Sequence, residues 1–327
     1  MGALHLRRVL QKSGLIVSAY RKWVSVRQEL KLKGHEDAVF HGPQFFLPVF
    51  GGRRVVTIHD LSVYSWAHCH PPGRVKMMQV EIARAVQCAD MVLTDSEFTG
   101  REVAAFFSLP LDRLRAVPLG SSDGFFPRGE PKLAPVLTRL GLKADRYCLY
   151  AGTIEPRKNI DTLLDAYERL PYETRKRWPL VLCGYQGWQS ERLHARIEKY
   201  GSQGWVRYLG YVSGDDLPYV FAGARLFAFP SLYEGFGLPV LEAMASGVPV
   251  VCSDSSSLPE VAGEAAAMCA PQDTDALTAL LARGLEDDSW RAHARKQGLL
   301  RAAQFSWRSC AEMTGAAYRA VLRQSVA

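Results

Sequence analysis

No run of about 18 apolar residues occurs in the 327-residue chain, so no membrane-spanning helix is expected. The opening "MGALHLRRVLQKSGLIVSAYRKW" is basic and partly apolar. It lacks an apolar centre followed by a small-residue cleavage site, so it does not read as a secretory leader. No C-x-x-C pair is present. The seven cysteines (Cys69, Cys88, Cys148, Cys183, Cys252, Cys269, Cys310) are scattered, and several fall in runs such as "YCLYAG" and "LVLCG". That pattern predicts reduced, buried thiols in a cytoplasmic protein. Metal-binding spacing is missing too. Asp273-Thr274-Asp275 is the only D-x-D, and it opens a predicted helix, where Asp273 reads as a cap. His68-Cys69-His70 has alternating side chains and no further cluster, so no metal is expected.

What is present suits two domains, because 327 residues exceed one ordinary core. The charge is unevenly placed. Residues 1–143 carry 20 Lys+Arg against 12 Asp+Glu, a balance of +8, and the remainder carries 20 against 21, or −1. A basic first half fits nucleic acid, an anionic membrane surface, an anionic acceptor or a plain solvated face. The basic residues lack interleaved aromatics, which disfavours nucleic acid.

Residues 3–33 read as one or two basic helices. Strand-like and helical runs then alternate: "DAVFHGP" and "RRVVTIHDLS" as strands, "PGRVKMMQVEIARAVQCAD" as helix, "MVLTDS" as strand, "EFTGREVAAFF" as helix and "LRAVPLG" as strand. Ser96, or Thr99, is a cap candidate for the second helix. A looser segment, "SSDGFFPRGEPKLAPVLTRLGLKADR", reads as an inter-domain connection. The rhythm restarts at "YCLYAGT" and runs through "PLVLCG", "VRYLGYV", "RLFAFPS" and "GVPVVCSD", with helices between. Such alternation predicts parallel sheets covered on both faces, with a ligand at the strand C-termini. The expected division is 1–143, 144–305, and a closing helix over 306–327 that packs back toward the first domain.

The stretch "LFAFPSLYEGFGLPVLEA" carries the most chemistry. Gly235 and Gly237 permit a close backbone approach, and a helix starts near Leu238-Pro239. The amides and dipole of that helix start favour a phosphate or diphosphate. Glu242 lies one turn in, where a carboxylate can accept two hydrogen bonds from a vicinal diol such as a ribose. Glu234 lies in the loop, placed for a sugar on the other side. In "YAGTIEPRKNIDTLL", Arg157 and Lys158 can neutralise the same diphosphate.

"GTIEPRKN" followed by "YEGFGLPVLEAMASGVPVV" closely resembles the retaining glycosyltransferases of family 4, which have the GT-B fold: two Rossmann-like β/α/β domains facing across a cleft. The likeness extends over about residues 38–325 and is strongest over 145–265. It implies a metal-independent hexosyltransferase with a nucleotide-diphosphate sugar, a GDP-sugar favoured, as donor substrate and no further cofactor. By position, Lys158 would meet the diphosphate, with Arg157 as helper. Glu242 would hold the ribose. Glu234 and the backbone of Gly235, Phe236, Gly237 and Leu238 would hold the donor sugar or diphosphate. Tyr211 and Val212 would border the base, and Gly184 would line the cleft. "VVTIHDLS" resembles the acceptor-side strand end, and His59 there would reach the sugar as a neutral imidazole. The catalytic candidates are therefore His59, Glu234 and Lys158.

Two departures stand out. Thr153 occupies a position where many relatives carry a phosphate-binding arginine. The usual opening strand and glycine-rich loop are not found, so the first domain is expected to lack its first strands, as a late-starting chain would. The family likeness implies transfer of mannose or rhamnose to a growing polysaccharide or lipid-linked glycan, as in O-antigen and lipopolysaccharide biosynthesis. It implies a cytoplasmic site of action, with peripheral contact at the inner membrane face through the basic domain. A catalytically impaired nucleotide-sugar-binding protein, or another GT-B enzyme such as a nucleotide-sugar epimerase, is the alternative.

Overall fold

The computed structural model describes residue 27 and residues 29–323. The basic helical reading of residues 3–33 lies almost wholly outside them; residues 29–32 are helical. Four strands form the first sheet: β1 (Val39–Gly42), β2 (Arg53–Ile58), β3 (Met91–Thr94) and β4 (Leu114–Ala116). They pair in chain order and all in parallel. Successive side chains of β2 face opposite ways. Val56 joins a core with Ile82, Val86 and Val103, from helices Pro72–Cys88 and Glu97–Phe107. Val55 joins the core on the other face, with Ala317 and Val321 of helix Trp307–Arg323. The last helix of the chain thus covers the back of the first sheet.

The second sheet contains β5 (Cys148–Ala151), β6 (Leu180–Cys183), β7 (Val206–Gly210), β8 (Leu226–Phe229), β9 (Val250–Ser253) and β10 (Ala266–Cys269). Its order is β10-β9-β8-β5-β6-β7, again all parallel. Strands β5, β6, β8 and β9 are buried at every residue, as strands covered on both faces must be. The order reverses between β5 and β8. Those two pair only at Cys148–Leu226 and Leu149–Phe227, and their C-terminal loops then part. Ligands bind in the crevice that such a switch point opens.

The segment read as a loose connection holds a helix, Glu130–Arg139. Its Leu133 and Leu137 are one turn apart and enter the second core. Packing of that apolar stripe overrides the Pro- and Gly-rich composition that suggested a loop. Helix Tyr172–Arg177 also escapes a periodicity reading, because six residues hold too few repeats. The chain passes between the sheets twice, after β4 and again near residues 303–306. The two passages touch. A Cβ on Gly120 would lie 2.2 Å from the Trp307 nitrogen, so no larger residue fits there. Among the described residues, no helix is long and apolar enough to cross a membrane.

Candidate functional site

The loops after β5 and β8 carry Lys158 and Glu234, and they are stitched together. Leu232 N–H donates to the Arg157 carbonyl at 2.9 Å. The Asn159 amide donates to the Pro230 carbonyl at 2.9 Å and to that of Pro271 at 2.6 Å. This fixes Lys158 against Glu234, with Nζ 2.6 Å from Oε1 and both side chains largely buried. The Phe229 ring lies 5.7 Å from the same ammonium. The two residues named separately from sequence are therefore one ion pair at the switch point.

Arg157 sits deeper, only 8% exposed. Its guanidinium donates to Glu155 at 3.0 Å and to the Tyr233 carbonyl at 2.7 Å, and stands 3.7 Å from Glu234. Both terminal nitrogens are thus taken up inside the protein. The residue braces the loop that presents Glu234, while Lys158 is the outer cation.

A cavity of about 220 Å³ opens at the C-terminal ends of β5 and β6, bordered by Gly184, Tyr185, Tyr211, Val212 and Glu242. Glu242, Tyr211 and Val212 are the residues expected near the ribose and base, and Gly184 the one expected to line the cleft. Thr153, at the departure position, also lines it. Glu242 projects from helix Leu238–Ala245 and has no hydrogen-bond or ion-pair partner among the described residues. Burial pushes its carboxyl up to about 8. The helix start closes on itself, with Val240 and Leu241 N–H donating to the Gly237 carbonyl at 2.9 and 3.3 Å. The amides of Gly237 and Leu238 precede that closure and face outward from the helix end. The Phe236 side chain turns into the core, its ring 5.9 Å from that of Phe305, so only its backbone serves the loop.

The raised Glu242 carboxyl has a measurable consequence. Its folded value exceeds the usual 4.5, so the folded chain keeps a proton that the unfolded chain releases. Stability attributable to this group therefore falls as pH rises from about 4.5 to about 8. Glu242→Gln is expected to flatten that fall, read from urea midpoints across the window. A variant with the wild-type slope would show that Glu242 is not a buried acid.

His59 follows β2, on the first-domain wall. Its Nδ1 lies 2.7 Å from an Asp95 oxygen, and its Nε2 lies 2.9 Å from the Pro43 carbonyl. A carboxylate at Asp95 and the carbonyl of Pro43 both accept, so this pairing favours an imidazolium over the neutral ring expected from the sequence. The hydrogen bond that His59 donates to Asp95 holds the ring above the usual histidine range, against its partial burial. Burial pushes Asp95 upward while the imidazolium pulls it back.

The two walls meet at the glycine turn. The Gly235 carbonyl accepts from Ser96 Oγ at 2.7 Å and from Thr99 Oγ1 at 3.1 Å. Ser96 also caps helix Glu97–Phe107 by accepting from Thr99 N–H at 3.1 Å. Leu61 N–H donates to Tyr233 Oη at 3.0 Å, and Arg101 pairs with Glu260 at 3.0 Å. Further along the seam, the Trp188 indole donates to the Cys69 carbonyl. Sequence reading gave Ser96 only a capping role. Its second bond spans 139 residues, and no local pattern announces it.

The model of the family "Glycosyl transferases group 1" matches residues 139–301. The chain is 45% identical to the O-antigen chain mannosyltransferase B of Escherichia coli, over 95% of this chain and 81% of that one. The chain belongs to the group 1 glycosyl transferases. Solved structures agree in fold. Sucrose-phosphate synthase from Thermosynechococcus elongatus superposes with a TM-score of 0.72 at 24% identity, covering 88% of this chain and 74% of that one. WaaG, a glycosyltransferase involved in lipopolysaccharide biosynthesis, superposes with a TM-score of 0.73 at 17% identity, covering 92% and 82%. The GT-B architecture expected from the sequence is thereby established. In this glycosyltransferase the matched segment holds β5 to β10, and so all of the Lys158–Glu234–Glu242 constellation.

Proposed function

We propose that this glycosyltransferase moves a mannosyl unit, with retention of configuration, from a nucleotide-diphosphate sugar to a growing polysaccharide or lipid-linked glycan. A GDP-sugar is the favoured donor. The observation that carries the reading is Glu242: a half-buried carboxyl without a protein partner among the described residues, bordering a cavity at the switch point, one turn inside a helix whose first amides face outward. A ribose diol supplies the two donors that this carboxylate lacks, and the attached diphosphate falls toward Lys158 and the Gly237 and Leu238 amides.

The acceptor hydroxyl attacks the anomeric carbon from the face that the diphosphate leaves. As the C–O bond to phosphate breaks, the leaving oxygen takes the acceptor proton, so charge and atoms balance without an enzyme-bound sugar. Lys158 neutralises the departing diphosphate, and no metal is called on. Glu234 orients Lys158 and faces the transferred sugar. His59, held by Asp95, faces the sugar from the opposite wall. The mannose preference draws on the mannosyltransferase relative, and an O-antigen-like acceptor follows from the same name. The +8 balance of the first 143 residues suits an anionic lipid-linked acceptor at the inner face of the cytoplasmic membrane.

Calorimetric titration of GDP- and UDP-sugars, followed by transfer assays with labelled donor, tests this. Glu242→Ala is expected to weaken donor binding by about 10-fold or more, the worth of the hydrogen bonds that its carboxyl would make to the diol. Wild-type affinity in that variant would remove Glu242 from the ribose site. Binding without transfer to any glycan acceptor would favour the nucleotide-sugar-binding alternative.

A further inference from the structure

We propose that Tyr233 is a positioning residue for the transfer reaction: its hydroxyl ties the loop that carries Glu234 to the loop that carries His59, and so sets the spacing between the two walls of the site. The inference rests on the roles proposed above for Lys158, Glu234 and His59, and adds a residue that acts through them.

Tyr233 stands immediately before Glu234, on the loop after β8 of the second sheet. Its backbone belongs to that side, where the Tyr233 carbonyl accepts from the Arg157 guanidinium at 2.7 Å. Its side chain belongs to the other. The hydroxyl accepts from Leu61 N–H at 3.0 Å and donates to the Glu102 carboxylate. Leu61 lies two residues beyond His59, and Glu102 lies on helix Glu97–Phe107. The ring centroid is 6.4 Å from that of Trp66 and 5.9 Å from that of Phe98, both of the first domain. Adjacent side chains of one loop thus serve different walls: Glu234 holds Lys158 within the second domain, and Tyr233 reaches across.

This contact is more than space filling. Tyr233 is only 4% exposed, yet it belongs to none of the hydrophobic cores that hold either sheet. A phenol is a poor filler for a dry gap, because its buried hydroxyl must find partners. Here the two partners come from separate elements of the first domain, so the hydroxyl has one place to sit. Burial pushes the Glu102 carboxyl up, and the bond from Tyr233 pulls it back. A bond to a carboxylate is the stronger kind, and the bond from Leu61 leads straight to the strand end that presents His59. Groups that react across a cleft lose rate steeply with misplacement of about 1 Å. A tie next to Glu234 and two residues from His59 acts where such misplacement matters most.

The test measures transfer and binding separately in Tyr233→Phe, Tyr233→Ala and Glu102→Gln. Tyr233→Phe keeps the ring and loses both hydrogen bonds. Its kcat for transfer from a labelled nucleotide sugar is expected to fall about 10-fold, with donor KM and the affinities for GDP and UDP within about two-fold of wild type. Retained nucleoside diphosphate binding also shows that the variant folds. Tyr233→Ala should lose about 100-fold in kcat. Glu102→Gln still offers a carbonyl oxygen to the hydroxyl, so it should keep most of the wild-type kcat. Amide exchange supplies a readout independent of turnover: the peptide containing Leu61 should exchange faster in Tyr233→Phe, because the Leu61 N–H has lost its acceptor. Wild-type kcat, or wild-type exchange around Leu61, in Tyr233→Phe would overturn the positioning role and leave the proposed function standing. Nucleoside diphosphate affinity that falls in step with kcat would place Tyr233 in the donor site and overturn the role as well. A wild type that transfers from no nucleotide sugar would remove the proposed function, and this role with it.

Discussion

Lys158→Ala is expected to slow glycosyl transfer by roughly 100- to 1000-fold, the usual effect of losing one fixed donor to a developing charge. Donor affinity should fall much less. The ammonium is held before any substrate arrives, 2.6 Å from Glu234 and beside the Phe229 ring. It therefore needs no reorganisation as the diphosphate departs. Removing it leaves Glu234 with Arg157 at 3.7 Å, so the carboxylate keeps one cation and the loop keeps its brace. Lys158→Arg should recover little, because a planar fork cannot occupy the place of a compact ammonium. Single-turnover kinetics with labelled donor separate chemistry from binding. An unchanged chemical step in Lys158→Ala would move leaving-group stabilisation to another residue.

Gly235→Ala is expected to cost on the order of 100-fold or more in transfer, through displacement of one wall of the cleft from the other. The added Cβ would stand 2.0 Å from the His59 carbonyl oxygen and 3.0 Å from Asp60 Cβ. Backbone cannot yield as a flexible side chain can. Retreat of the loop would break the bonds from Ser96 and Thr99 to the Gly235 carbonyl. Nucleoside diphosphate binding should survive within a few fold, since Glu242 and the cavity belong to the second sheet's own loops. Small-angle scattering would report a more open particle. A variant with wild-type transfer would show that the seam is not the working arrangement.

The second domain was the more legible half, for a physical reason. Its four inner strands are buried on both faces and read as apolar runs, as in "YCLYAG" and "RLFAFPS". The glycine turn and the two glutamates were legible as a group because they fall in one short stretch, Glu234 to Glu242. Features set by distant partners were not. Arg157 resembled an outward cation until Tyr233 and Glu155 claimed it. The charge of His59 depends on a Pro43 carbonyl supplied by a separate turn.

The double passage of the chain between the sheets restrains how the two halves can sit. One tether would let the halves swing and twist freely, whereas two tethers that touch at Gly120 and Trp307 allow less. A bulky residue at position 120 would pry the two passages apart where they meet, and so carry its effect to both sheets at once.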